Sequence, residues 1–166
     1  TTASGNYSHA EGMTGTLASG TAAHAEGGGT TASGNCSHAE GGGNTAAGES
    51  SHAEGGGNIV YAHCSHVEGA GNTINSDASH SHAEGTANTV NGFANHAEGI
   101  KTATYGTASH AEGSNTVAGI VPTTSTPNPT QPTGAHAEGC QTKATGTAAH
   151  AEGGGTTASG KDSHAE

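Results

Sequence analysis

One tripeptide, His-Ala-Glu, written once as His-Val-Glu, recurs eleven times between His9 and His164. Successive copies are 15, 14, 14, 14, 16, 14, 14, 26, 14 and 14 residues apart, so the unit is 14 residues long. Superposing the copies gives the template Ser-His-Ala-Glu-Gly-x-x-Thr/Asn-x-Ala-x-Gly-x-x, in which each half alternates small and variable residues and closes on Gly. A disordered low-complexity tract has no reason to keep phase. This chain keeps it through an insertion after Met13 and another around Ser79 and His80. Phase-keeping of this kind implies units that stack.

Alternation over a few residues, ended by Gly and a short step, is the pattern of a strand running into a turn. Helix is disfavoured by a Gly about every seven residues with Thr, Ser and Asn between. Two short strands per repeat make one coil of an all-β, parallel β-solenoid. Eleven coils at about 4.8 Å per step give a rod on the order of 50 Å long. Composition agrees: 29% hydrophobic and 2% aromatic residues with no Trp cannot fill a globular core, but they suit a narrow slit. The predicted inward residues are the Ala after each His, with Val67 as the exception, and a second column of Ala3, Ala18, Ala32, Ala46, Val60, Ile74, Val90, Thr104, Val117, Ala144 and Ala158. Residues 120–133 hold all four prolines, Pro122, Pro127, Pro129 and Pro132, and account for most of the 26-residue gap. Proline cannot join a central ladder, so this segment reads as a loop ejected between coils, and 1–119 and 134–166 form one continuous solenoid domain.

Charge narrows function. Fourteen acidic residues against three lysines give a net charge of −11, which cannot neutralise phosphates and argues against nucleic acid. No apolar run reaches the roughly 18 residues of a membrane-spanning helix. His-Glu-x-x-His, Gly-x-Ser-x-Gly and phosphate-loop motifs are absent, and Pro-Cys-x-x-Cys does not accompany His-x-Glu, so no enzyme activity is expected. Cys36 and Cys64 share a slot two coils apart, too far for an intrachain bridge, and Cys140 lies in a different turn.

Residues two apart on a strand share a face. Stacked coils therefore set His9, His24, His38, His52, His66, His82, His96, His110, His136, His150 and His164 in one column beside Glu11, Glu26, Glu40, Glu54, Glu68, Glu84, Glu98, Glu112, Glu138, Glu152 and Glu166. Three readings of this face stand open. Three chains could pack it around a common axis, pairing each imidazole with a neighbour's carboxylate; it could be a solvated polar ladder; or some layers could bind zinc, nickel or copper. His63 and His66, with His80 and His82, are further candidate metal ligands, since His63 and His80 lie outside the repeat. On the second strand Thr2, Thr31, Thr45, Thr73, Thr89, Thr116 and Thr157 form most of an outward column that suits an exposed strand, with ice or glycan binding as the sharper alternative.

The paired words Ser37-His38-Ala39-Glu40-Gly41 and Thr30-Thr31-Ala32-Ser33-Gly34 resemble the 14-residue repeats of YadA-type heads in trimeric autotransporter adhesins, and the SHAEG-rich arrays of phage and Gram-positive surface fibres. The resemblance implies a left-handed β-roll assembled as a homotrimer, located outside the cell or on a virion, serving as a head or shaft segment. Its expected partners are copies of itself and a host-surface, matrix or glycan receptor. One departure is plain: the family's apolar outward slots are His and Glu here in every copy. Because the chain starts and stops within a repeat, it reads as an internal stretch of a longer fibre.

Overall fold

A computed structural model of the chain describes residues 1–125 and 130–166. Each coil gives one strand to each of two 11-stranded parallel sheets, in unbroken order. One sheet, the His sheet, runs from His9–Gly12 to His164–Ala165; the other, the Thr sheet, runs from Thr2–Ala3 to Thr157–Ala158. The architecture is the all-β parallel β-solenoid that the period predicts, and no described residue is helical. Register is residue on residue: His82 pairs His96, Ala83 pairs Ala97 and Glu84 pairs Glu98. It survives the long gap, where His110 pairs His136 and Glu112 pairs Glu138.

Strands are shorter than the sequence alternation suggests, two residues each in the Thr sheet, because both template glycines lie where coils touch. Gly55 has φ +99°, and a Cβ there would stand 2.2 Å from the Gly69 carbonyl oxygen of the next coil. Gly34 has no such φ, yet its Cβ would meet the Gly48 oxygen at 2.0 Å. Glycine is thus required at both positions by close backbone approach.

The interior is two facing columns. Ala25, Ala39, Ala53, Val67, Ala83 and Ala97 point in from the His sheet, and Ala18, Ala32, Ala46, Val60, Ile74 and Val90 from the Thr sheet, all fully buried. Val60, Val67, Ile74 and Val90 are the largest apolar side chains in the slit. Thr104 interrupts it: its buried hydroxyl has no hydrogen-bond partner, and the apolar interior divides there into two clusters. One predicted position is corrected. Thr116, expected outward, is buried, and Ala118 rather than Val117 points inward, paired with Thr104 and Ala144. The sixth residue after His fills the Thr/Asn slot in this coil as in its neighbours, so the outward position falls to Val117, between Ala103 and Lys143.

The Pro-rich segment leaves the stack at Ile120 and rejoins it at Pro132. Gln131 closes its neck, accepting from the Ile120 amide at 2.9 Å and donating to the Ile120 carbonyl at 2.8 Å. Pro132, which has no N–H to give, contributes only its carbonyl, accepting from Thr107 N at 3.2 Å. Pro127 and Pro129 lie outside the described residues.

Candidate functional site

Because every coil enters the His sheet in identical register, the imidazoles form a single column. Ring centroids of His24 and His38 are 4.7 Å apart with planes 2° from parallel, and His136 and His150 repeat this at 4.7 Å and 0°. Only His9 departs, meeting His24 edge-on at 81°. Within a coil the Glu carboxylate stands beside its His, with Nε2 to Oε2 separations from 3.4 Å at His110–Glu112 to 3.9 Å at His82–Glu84. These distances exceed those of a hydrogen bond. Nine column imidazoles, from His24 to His150, have an Nε2 sealed from solvent and without a hydrogen-bond partner among the described residues. The rings themselves are about a third exposed, so the column is a flat outer face whose nitrogens are shielded by their own neighbours.

Electrostatics follow from the packing. Burial, then the imidazoles on either side, hold His52, His82 and His110 below the ordinary 6.5, against the opposing pull of nearby carboxylates. In the parallel column Glu54 is raised, foremost by carboxyl-to-carboxyl hydrogen bonding with Glu68, then by burial and by Glu40. His52, His82 and His110 are therefore held toward the neutral imidazole, and Glu54 toward its protonated form. Neutral imidazoles next to carboxylates are also a donor set for transition metals. In His24–Glu26–His38 and His52–Glu54–His66, for example, one donor atom from each residue lies within 4.8 Å of the others.

His66 and His82 belong to the column, with rings 5.1 Å apart. His63 and His80 lie in the exposed turn leading into the His sheet, where His63 Nδ1 accepts from the Glu49 amide at 3.3 Å and the His80 ring tilts against Phe93 at 5.2 Å. The cysteines are free and exposed, with Cys36 and Cys64 at φ 55° and 52° in that same turn column. Outward on the Thr sheet stand Thr31, Thr45, Thr73 and Thr89, half-buried by their neighbours.

A third column carries much of the order and has no counterpart in the sequence reading beyond the words Thr/Asn. Asn44, Asn58, Asn72 and Asn88 are fully buried at the turn after the His sheet. Asn58 Nδ2 donates to the Glu54 carbonyl of its own coil at 2.6 Å and to the Gly69 carbonyl of the next at 2.8 Å. Its Oδ1 accepts from Asn72 N at 2.8 Å, and Asn72 and Asn88 repeat the pattern. This amide ladder fixes the backbone that presents each Glu. Its signal in the sequence is the recurrence of hydrogen-bonding residues at one template position, where apolar burial offers no explanation.

No protein-family model matches the chain, and no curated protein matches it.

Proposed function

We propose that this chain is a head or shaft segment of a homotrimeric extracellular fibre, in which the His–Glu faces of three copies pack around the axis. The observation that carries the reading is the row of nine buried imidazole nitrogens without partners. A neutral imidazole left unsatisfied in a shielded place costs free energy, and carboxylates of a facing copy supply the missing acceptors. The repetition fits the same purpose, since a straight interface of stacked layers needs the same pair in every layer, and here the pair recurs eleven times. The resemblance of the SHAEG words to YadA-type heads points the same way. On this reading the segment acts mechanically and by adhesion to a host-surface, matrix or glycan receptor, has no catalytic role, and is located on a cell surface or, as a tail-fibre segment, on a phage virion.

Cross-linking tests the assigned face. In a background with Cys36, Cys64 and Cys140 replaced by Ser, His52→Cys has one thiol per chain, so a short bismaleimide should give covalently linked dimers, whereas Thr45→Cys on the opposite sheet should stay monomeric. Linkage from Thr45→Cys alone, or from neither position, contradicts the reading.

A further inference from the structure

Two carboxylates in the last coils stand within 4.0 Å of an imidazole in their own coil and of one in the next. Glu138 Oε2 lies 3.5 Å from His136 Nε2 and 3.9 Å from His150 Nε2. Glu152 turns Oε2 to His150 at 3.7 Å and Oε1 to His164 at 3.8 Å. In the other column ion pairs among the described residues a His comes within 4.0 Å only of the Glu of its own coil, while donor atoms of adjacent coils there lie within 4.8 Å of one another. We propose that the run His136, Glu138, His150, Glu152 and His164 binds a divalent transition-metal ion of the zinc, nickel or copper class.

The separations support this. A hydrogen-bonded imidazole and carboxylate approach to about 2.7–2.9 Å. Two donors sharing one ion through bonds of about 2.0–2.2 Å stand roughly 3.3–3.6 Å apart at tetrahedral angles. The observed 3.5 to 3.9 Å resembles the second case. The Nε2 atoms of His136 and His150 are sealed from solvent with no hydrogen-bond partner, so their lone pairs are not committed elsewhere. Their rings stack at 4.7 Å with parallel planes, and the His164 ring stacks on His150 at 4.9 Å with its plane rotated by 25°. Convergence of the two nitrogens on one ion needs a movement of about 1 Å, within reach of side-chain rotation. Two imidazoles and a carboxylate, with the second carboxylate or water in the fourth position, form a zinc-type donor set. Calcium and magnesium, which want six or more oxygens, are poorly served. The site is complete within one chain, and in these two coils the ion takes the place of the facing carboxylates that the assembly reading assigns to the other imidazoles.

The test uses the whole chain, stripped with chelator and dialysed. Zinc titration by calorimetry should give one ion per chain, and cobalt substitution should give the visible absorption of mixed nitrogen and oxygen coordination. His150→Ala should weaken zinc binding by at least about tenfold. Glu49→Gln, at a carboxylate in the exposed turn outside the column, should leave it unchanged. Glu138→Gln preserves size and stack, so it decides the matter should His150→Ala fail to fold, and it too should lose affinity. Absence of saturable zinc binding, or equal losses from Glu49→Gln and Glu138→Gln, overturns the site. Solution mass in chelator separates the two proposals: a trimer that binds no zinc removes the site alone, and a monomer that binds zinc removes the assembly alone.

Discussion

At Gly55 the chain has no room for even a methyl group. A Cβ placed there falls 2.2 Å from a carbonyl oxygen and φ is +99°, so Gly55→Ala must push neighbouring coils apart or strain the backbone. A loss of several kcal/mol, on the order of 3, is expected from these combined terms. Gly56, one residue on, has nothing within 4 Å of its Cβ position and no left-handed φ, so Gly56→Ala should change stability by less than about 0.5 kcal/mol. Chemical denaturation of the pair checks both expectations. Buried polar residues show a similar contrast. Asn58→Ala removes two donated bonds and strips the Asn72 amide of its acceptor, a cost of about 3 kcal/mol. Thr104→Val removes a buried hydroxyl with no partner and rejoins the two halves of the apolar slit, with a gain of about 1 kcal/mol read as a raised Tm.

Within the column elements, the sequence makes some relations easy to read and hides others. Period two places His and Glu on one face and Ala between them, and the structure agrees at every coil from His24 to His150. What period cannot reveal is how rings stack once superposed, so the orphaned nitrogens and the bridging reach of Glu138 and Glu152 emerge only in the folded chain. The Asn ladder is hidden for a related reason: an inward amide bonding along the stack leaves no apolar signature. The slip at Val117 falls in the coil beside the insertion, where the following repeat is too distant to fix the count.

The column also predicts a pH response. His52 and His82 are held below 6.5 by burial and by the neighbouring rings of His38, His66 and His96, against the carboxylates of Glu40, Glu68 and Glu84. As pH falls the unfolded chain binds those protons first, so the stability they contribute is present above about pH 6.5 and declines below it. Glu54, raised from 4.5, acts oppositely: its contribution is full below 4.5 and is lost as pH rises through its higher native value. Thermal melts should therefore show Tm falling between pH 7 and pH 5.5, then levelling as Glu54 takes up its proton. A Tm that rises across the first interval contradicts the assignment of neutral, shielded imidazoles.

For the whole molecule, the acidity and the thin core become one statement. Eleven of the fourteen acidic residues belong to the Glu column, so most of the charge of −11 lies along a single face. The slit behind it is mostly Ala and buries little apolar area per coil, which leaves backbone ladders, buried amides and, on the reading proposed above, assembly to supply stability. Both sheets run unbroken through eleven coils, and strand register does not slip even across the insertion. On the reading proposed above, copies of the chain cover the row of shielded nitrogens. The most direct test is the mass of the intact chain in solution at neutral pH by analytical ultracentrifugation. The account predicts three times the 15.8 kDa chain. A single species at 15.8 kDa across micromolar concentrations would contradict it.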